Sequence, residues 1–256
     1  MGGDMKNRHV ALLITGIIWL TAIVVAPSIA RGGDDGYRVF RPDGPGPHPA
    51  VVFLSGCSGF KPKLTPSAYE HKAEKLRSLG FLVVWVDYLG RRNLPNCSTG
   101  GVSQDQAGED AVAAALWVKS QPGVDPQRIT AMGWSWGGGS VLAALADRSV
   151  KNLFFSRAIL YYPYCMGSEP LERHIPVLVL RGGSDTVAPP HLCQTALESK
   201  PGSQSVKIVV YANARHGFDL SELPPKVEYA YGTLGYDPNA AAAAWTDVLR
   251  FLGVRQ

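Results

Sequence analysis

The 256-residue chain is long enough to bury the core of one domain and too short for two domains of ordinary size. Hydrophobic residues make up 46% and charged residues 18%, a balance typical of a globular protein and not of a disordered one. The formal net charge is only +4 and no run of lysine and arginine forms a basic stripe, so the sequence does not indicate a nucleic-acid partner.

The first thirty residues have the pattern of a targeting segment. Lys6 and Arg8 precede a largely apolar stretch from Val10 to Val25, and Pro27 is followed by Ser28-Ile29-Ala30, with small residues at the positions that a signal peptidase prefers. This order is typical of a signal peptide. An uncleaved membrane anchor is the alternative, although a membrane span needs about twenty residues and the apolar stretch from Val10 to Val25 is shorter. We predict that residues 1–30 are one or the other, that a membrane is a partner only if the segment is retained, and that the protein is secreted or periplasmic.

Apolar, β-branched segments alternate with segments of helical period along the rest of the chain, which indicates an α/β fold with a mostly parallel central sheet and helices on both faces. The predicted strands are near-continuous apolar runs, as expected of strands that are buried on both faces. In chain order they are an edge strand around Tyr37–Phe40, Ala50–Leu54, Leu82–Val86, Ile129–Met132, Ala158–Tyr161, Val177–Leu180 and Val206–Tyr211.

Five helices are predicted between and after these strands, and the stretch Leu223–Pro238 is predicted to be a long loop of the kind that is often functional. The helices are Ser67–Ser78, Gln104–Lys119, Gly137–Ala146, Pro190–Glu198 and Ala240–Leu252.

The fourth predicted strand runs into Gly133-Trp134-Ser135-Trp136-Gly137, a match to the G-x-S-x-G nucleophile elbow. The elbow is a tight strand-to-helix turn that lifts a serine hydroxyl above the sheet, and its flanking glycines avoid collisions with neighbouring backbone. Short patterns also arise by chance. The position between an apolar strand and a helix therefore carries the prediction that Ser135 is a nucleophile.

Asp185 and His216 follow Ser135 in the chain order that this arrangement requires. Asp185 lies in a glycine-rich loop after the sixth predicted strand, and His216 follows the seventh, so both are expected at the edge of the sheet where ligands gather. Singly, each residue could be a turn former or a solvated loop residue. Together they predict a triad in which His216 accepts the serine proton and Asp185 orients the imidazole. Asp87, after the third strand, is the rival acid.

Acyl transfer also requires N–H donors for the developing oxyanion. The N–H of Trp136 begins the helix after the nucleophile, and the loop Ser55–Gly59 is the expected source of the second donor, for which we choose the N–H of Cys57. A reactive Cys57 thiol is the alternative, although no elbow presents its sulfur. Aromatic residues near the predicted site are either pocket walls or core residues; they are Phe60, Tyr88, Trp134, Trp136, Tyr161 and Tyr162.

The four cysteines all lie within residues 31–256, which we predict to form a single domain. Outside the cytoplasm an even number of cysteines favours disulfides, and four cysteines allow three pairings that the sequence alone does not decide. Cys57 and Cys97 follow adjacent predicted strands, and Cys165 and Cys193 follow the two strands after the elbow. Our hypothesis is therefore a Cys57–Cys97 and a Cys165–Cys193 bridge. No cysteine or histidine spacing indicates zinc, and we expect no metal and no organic cofactor.

Taken in order, these motifs resemble the dienelactone hydrolase family from about Val51 to Leu252. The resemblance implies an α/β-hydrolase fold without a cap domain. Two features depart from the family. Its characterised members have cysteine at the elbow, where this chain has Ser135, and they hold a lactone carboxylate with two arginines, of which only Arg91 has a counterpart here. The motifs are the Ser-Gly-Cys-Ser-Gly loop, Asp87-Tyr88-Leu89-Gly90-Arg91, Gln106-Ala107-Gly108-Glu109-Asp110, Gly-Trp-Ser-Trp-Gly, Gly-x-x-Asp and His-Gly-Phe.

The sequence thus predicts a serine hydrolase that cleaves small carboxylic esters or lactones through an acyl-Ser135 intermediate. Arg91, Tyr88, Trp134 and Phe60 are the predicted substrate-binding residues, and an ordinary solvated loop position is the alternative for Arg91. The same triad could serve a peptidase or an acyltransferase. A non-catalytic binding module on the same fold is a further alternative, although a binding module has no need of all three triad residues.

Overall fold

A twisted sheet of eight strands forms the centre of the protein. The computed structural model describes residues 1, 30–31, 36–60, 63–147, 155–166, 175–193, 197 and 205–254. The strands of this sheet are β1 (Ala30–Arg31), β2 (Tyr37–Phe40), β3 (His48–Leu54), β4 (Leu82–Val86), β5 (Val124–Trp134), β6 (Arg157–Tyr161), β7 (Val177–Gly182) and β8 (Val206–Tyr211).

The order of the strands indicates where along the sheet a ligand site is expected. Across the sheet it is β1-β2-β4-β3-β5-β6-β7-β8, so the chain adds β4 on one side of β3 and every later strand on the other. The six strands β3 to β8 are parallel to one another. β2 is antiparallel to its neighbour β4, and β1 is antiparallel to β2. The order therefore reverses beside β3, and in open α/β sheets the crevice outside the carboxyl ends of the strands at such a point is the usual ligand site.

Helices cover both faces of the sheet, because successive residues of a strand point to opposite sides. Ala50, Val52 and Leu54 of β3 belong to one apolar cluster, and Val51 and Phe53 to the other. The first cluster contains residues of helices α2 (Gln104–Lys119) and α3 (Trp136–Ala146), and the second contains residues of α1 (Ala68–Ser78) and α4 (Pro238–Leu252).

Side-chain caps fix where two of these helices begin. Ser103 and Gln106 form a capping box at the start of α2, each side chain accepting a hydrogen bond from the backbone N–H of the other residue. The side chain of Asp237 accepts from two N–H groups in the first turn of α4, and Gly253 ends that helix in the left-handed conformation.

The predicted strands are all present, and three features differ from the prediction. β5 begins at Val124, well before the predicted start, and β2 is not an edge strand because β1 pairs with its outer side. The predicted loop Leu223–Pro238 contains a hairpin, formed by β9 (Val227–Tyr229) and β10 (Gly232–Leu234), whose strands are too short for an alternating pattern to appear in the sequence.

Two other predictions fall wholly or partly outside the described residues. Of the helix predicted at Pro190–Glu198, the structure describes a 3₁₀ turn over Pro190–Cys193. The predicted leader lies outside the described residues except for its two end positions, and the last of them, Ala30, pairs with Val39 of β2. In the part of the chain that the structure describes, no helix is long and apolar enough to cross a membrane.

Candidate active site

Ser135 sits on a sharp turn between β5 and α3. Its backbone has φ 51° and ψ −115°, a region that a residue with a β-carbon adopts only when its surroundings impose it. Those surroundings are tight: a β-carbon at Gly133 would strike the backbone of Gly137, and one at Gly137 would strike the carbonyl oxygens of Leu54 and Ser55. The glycines of the motif are therefore required by packing.

Hydrogen bonds on both sides hold this strained turn. The Ser135 N–H donates to the Tyr161 carbonyl of β6 at 2.9 Å. The Ser135 carbonyl accepts from the N–H of Gly139, at 3.0 Å, and from the N–H of Tyr164, at 2.9 Å. Ser135 is only partly buried.

The structure brings Ser135, His216 and Asp185 into one hydrogen-bonded chain. His216 Nε2 lies 2.9 Å from Ser135 Oγ, and His216 Nδ1 lies 2.9 Å from Asp185 Oδ2. An ionised carboxylate can only accept, so Nδ1 carries the proton in neutral His216 and Nε2 is left with a lone pair facing the serine hydroxyl. This arrangement can remove the proton of Ser135.

Asp185 is held as an ionised carboxylate. Its other oxygen, Oδ1, accepts from the N–H groups of Val187 at 2.9 Å and Ala188 at 2.8 Å. Burial alone would raise the pKa of Asp185, but the hydrogen bond and charge of His216 and these two N–H donors lower it by more, so the pKa lies below the usual value for an aspartate. Both oxygens are thus occupied, which fixes the direction in which the carboxylate faces His216.

Asp87, the rival acid, has a different role. Its Oδ1 accepts from the N–H of Gly90 at 2.8 Å and so closes the turn that follows β4. Because His216 Nδ1 is hydrogen-bonded to Asp185, Asp87 does not belong to this hydrogen-bonded chain.

The loop after β3 runs beside Ser135 and is fixed from two sides. A β-carbon on Gly56 would lie 3.6 Å from that of Ser135, which places the start of this loop against the elbow. The Gly56 N–H donates to the Tyr69 hydroxyl at 3.1 Å, and the Gly56 carbonyl accepts from the Tyr88 hydroxyl at 2.7 Å. Cys57 is bonded to Cys97, so it is not a free thiol and the alternative of a reactive Cys57 is wrong for this state.

The second disulfide joins Cys165 to Cys193 on the other side of the elbow. The loop that contains Cys165 contacts the nucleophile turn directly, because the N–H of Tyr164 donates to the Ser135 carbonyl. Gln104 at the start of α2 holds the same loop, accepting from the Met166 N–H at 2.8 Å and donating to the Tyr164 carbonyl at 2.5 Å. Both bridges have the pairing that the strand positions favoured, and both brace the edge on which Ser135 lies.

Two residues predicted to bind substrate, Tyr88 and Trp134, are buried in the core, which corrects this assignment. Tyr88 is fully buried and its hydroxyl donates to the carbonyls of Gly56 and Ser55, so it lies beneath the loop. Trp134 is also fully buried, stacked on Tyr161 with ring centroids 5.1 Å apart. Phe60 is only partly buried and packs on Trp85, at 4.5 Å between centroids, so its role in substrate binding stays a prediction. The sequence shows that these residues are aromatic, but not which way each side chain points.

Arg91 is the fourth predicted substrate-binding residue, and it lies at the surface. Its side chain is 40% exposed, packs across Gly36 and has its nearest guanidinium nitrogen 3.7 Å from Asp110. The adjacent Arg92 makes the closer contact to the same carboxylate, at 2.5 Å.

Two further features of the site have no counterpart in the predictions. Asp219, three residues after His216, is a buried carboxylate beneath the triad. Its signal in the sequence is a lone charge in the apolar run Gly-Phe-Asp-Leu. The hairpin β9–β10 flanks the histidine: the Gly235 N–H donates to the His216 carbonyl at 3.0 Å, and the Thr233 N–H donates to the hydroxyl of Thr186, next to Asp185, also at 3.0 Å.

The elbow, Asp185 and His216 all lie within the part of the sequence that matches a known protein family. The model of the dienelactone hydrolase family matches residues 35–255. This chain belongs to the dienelactone hydrolase family. Its fold is the α/β-hydrolase fold that the resemblance implied.

The curated relatives of this family member match it over part of their length. An uncharacterised protein of Mycobacterium tuberculosis (strain H37Rv) is 31% identical over 172 residues, which are 58% of this chain and 57% of that protein. An uncharacterised 31.7 kDa protein of Escherichia coli is 31% identical over 111 residues, which are 43% of this chain and 37% of that protein. The chain thus spans little more than half the length of the first relative.

Solved structures share the fold of this dienelactone hydrolase family member at low identity. A putative dienelactone hydrolase from Klebsiella pneumoniae is 20% identical with a TM-score of 0.61, covering 86% of this chain and 92% of that one. A dienelactone hydrolase-like promiscuous phosphotriesterase from metagenomic libraries is 19% identical with a TM-score of 0.67, covering 85% and 91%. A thermophilic esterase from Thermogutta terrifontis with bound butyrate is 19% identical with a TM-score of 0.58, covering 85% and 89%.

Proposed function

We propose that the protein hydrolyses small carboxylic esters or lactones through an acyl-Ser135 intermediate. The observation that carries the proposal is the unbroken hydrogen-bonded chain from Ser135 Oγ through His216 to Asp185, with both donor–acceptor distances at 2.9 Å. A serine hydroxyl is a weak nucleophile by itself and becomes reactive when an adjacent base takes its proton.

In the first half of the reaction, Ser135 Oγ attacks the carbonyl carbon of the ester while its proton passes to His216 Nε2. The electron pair of the C=O bond moves to the carbonyl oxygen, and Asp185 stabilises the imidazolium that forms. When the C=O bond re-forms, the bond to the alkoxy oxygen breaks. The alcohol leaves with the proton from Nε2, and the acyl group stays on Ser135.

The second half repeats these steps with water. His216 Nε2 takes a proton from the water molecule, whose oxygen attacks the acyl carbon. Collapse of the intermediate breaks the bond to Ser135 Oγ, which recovers its proton from His216, and the carboxylic acid is released. No redox partner is needed at any step.

The negative charge on the carbonyl oxygen requires N–H donors that are already in position. We assign this role to the backbone N–H groups of Trp136 and Cys57. Trp136 is the first residue of α3, where N–H groups have no partner within the helix and the helix dipole favours a negative charge. Cys57 lies in the loop that Tyr69, Tyr88 and the bridge to Cys97 hold beside the elbow.

The size of the substrate follows from the short connection between β6 and β7. It spans residues 162–176, too few for a cap domain that would enclose a long acyl chain. Short esters and lactones are therefore favoured over triglycerides. The two disulfides support an oxidising compartment, which agrees with the proposed export of the protein.

A fluorophosphonate probe followed by a panel of esters tests the proposal. We expect the probe to label Ser135, as read by mass spectrometry of the modified peptide, and short neutral esters or lactones to be cleaved faster than matched amides. Ser135→Ala should abolish labelling. Ser120→Ala is the matched control, because that hydroxyl only donates to the Trp117 carbonyl at the end of α2. A wild-type protein that neither reacts with the probe nor cleaves any ester in the panel would refute the proposal and favour a binding role.

A further inference from the structure

The buried carboxylate of Asp219 is occupied by three donors from three parts of the chain. Its side chain is only 2% exposed. Oδ2 accepts from the indole N–H of Trp134 at 2.8 Å and lies 2.9 Å from the ammonium of Lys72, and Oδ1 accepts from the hydroxyl of Tyr162 at 2.5 Å. Lys72 also donates to the backbone carbonyl of Asp219 at 2.9 Å. A buried carboxylate with this many hydrogen-bonding and charged partners is held in one position.

Two of the three partners, Trp134 and Tyr162, connect Asp219 to the triad. Trp134 is the residue immediately before the nucleophile. Tyr162 immediately follows β6, and its ring packs against the imidazole of His216 with centroids 4.5 Å apart. Asp219 itself is three residues beyond His216, so it joins the histidine loop to the ends of β5 and β6. The charged donor among these three partners, Lys72, comes from α1.

Tyr162 is the part of this connection that touches the histidine. Its backbone has φ 36°, an unfavourable value for a residue with a β-carbon, and its N–H donates to the Leu180 carbonyl at 2.7 Å. Burial, and then the nearby charge of Asp219, raise the pKa of Tyr162 well above its usual value, so the hydroxyl remains a donor. The ring is thus held at its polar end by Asp219 and contacts His216 with the two ring planes inclined at 58°.

We infer that Asp219 is a positioning residue for His216, acting through Tyr162 and Trp134. It is not a second acid of the triad, because His216 Nδ1 already faces Asp185. Its effect is geometric: it fixes the imidazole relative to the elbow so that Nε2 stays within hydrogen-bonding distance of Ser135 Oγ. The inference rests on the proposed hydrolase function, but it also concerns the position of the imidazole, which can be observed without turnover.

Two variants test this inference. Asp219→Asn combined with Lys72→Met removes both charges of the buried pair, so that no unpaired ammonium remains. Tyr162→Phe removes only the hydroxyl and leaves the ring. Tyr211→Phe is the matched control, because it also deletes a tyrosine hydroxyl that donates to a carboxylate, that of Asp247 at 3.0 Å, away from the triad.

We expect kcat for a short ester to fall about tenfold in both variants while KM stays within about twofold, since misplacing a catalytic group slows the chemical step more than it weakens binding. Acylation by a fluorophosphonate should slow to a similar degree. Tyr211→Phe should keep the kcat of the wild type. A residue that only stabilises the fold would lower the melting temperature of the variants without changing kcat at a temperature where they are folded.

The low-field proton resonance of the His216 Nδ1–H group supplies a readout that does not depend on activity. In the wild type we expect this proton, bonded to Asp185, to give a resolved signal, and in the two variants we expect the signal to shift or broaden. If the signal changes in the variants although the wild type cleaves no ester, the result supports the positioning role of Asp219 and the hydrolase proposal fails. An unchanged resonance in both variants, or an unchanged kcat where the wild type is active, would overturn the inference.

Discussion

The Nε2 atom of His216 lies 2.9 Å from the Oγ atom of Ser135, although 81 positions separate the two residues in the chain. Ser135 follows β5 and His216 follows β8, and the parallel strands β6 and β7 lie between these two in the sheet. The carboxyl ends of all four strands share one edge, along which the loop after β7 places Asp185 between the other two residues. The order of the strands therefore determines that this triad can form.

The triad is the first target for mutation. We expect Ser135→Ala to lower kcat for a short ester at least about a thousandfold, and Asp185→Asn to lower it by a comparable or smaller factor, because triad members act as a unit. Asp87→Asn is the control, since Asp87 closes a turn through Gly90, and its effect on kcat should be much smaller. Steady-state kinetics on the purified variants provide the measurement, and turnover at the wild-type rate in Ser135→Ala would contradict the mechanism.

The disulfides should contribute to stability, and one of them also to the rate. Replacing Cys57 and Cys97 together by serine should lower the free energy of unfolding by about 2–4 kcal/mol, and so should replacing Cys165 and Cys193. Replacing Cys57 and Cys97 should also lower kcat about tenfold, because the loop that carries the N–H of residue 57 becomes less rigid. This effect is smaller than the one expected from losing an oxyanion donor altogether. Urea unfolding and kinetics measure the two effects. Four reactive thiols in the mature, non-reduced protein would contradict both bridges.

The lowered pKa of Asp185 predicts how its contribution to stability depends on pH. A group with a depressed folded-state pKa stabilises the folded protein above its unfolded pKa, near 3.8, and this contribution is lost as the pH falls through the lower folded-state value. The part of the stability difference between the wild type and Asp185→Asn that comes from this carboxylate should therefore shrink as the pH falls below about 4. Urea titrations at a series of pH values check this. A difference that widened in acid would mean the opposite shift.

The triad and the sheet could be predicted from the sequence because each depends on a local pattern. A buried parallel strand is a continuous apolar run, and the elbow, Asp185 and His216 each follow such a run, so their common edge comes from chain order alone. The surroundings of the site depend on contacts between distant residues. Tyr88 and Trp134 could have faced a pocket or the core, and only the packed structure shows that their polar atoms are bound to Gly56 and Asp219. The short strands of β9 and β10 leave no periodic signal.

Arg91 offers a test of what the substrate carries. In the structure its side chain is 40% exposed, and its contact with Asp110 is long, at 3.7 Å. Arg92 holds the same carboxylate more closely, at 2.5 Å, and also donates to the Tyr88 carbonyl at 2.8 Å. We propose that Arg91 binds a carboxylate of the substrate, a task that suits a guanidinium because it is always charged and can form two parallel hydrogen bonds.

If Arg91 binds the carboxylate of an acidic ester, Arg91→Ala should lower kcat/KM for that ester by about tenfold or more and leave a neutral ester of the same length nearly unchanged. The charge-assisted bonds at stake contribute about 1.5–3 kcal/mol, which corresponds to a difference of that size. Arg92→Ala is the matched control. It removes a structural ion pair from the loop after β4, so any effect on kcat/KM should be equal for the two esters. An equal effect of Arg91→Ala on both esters, or no effect on either, would show that Arg91 is an ordinary surface residue that does not contact the substrate.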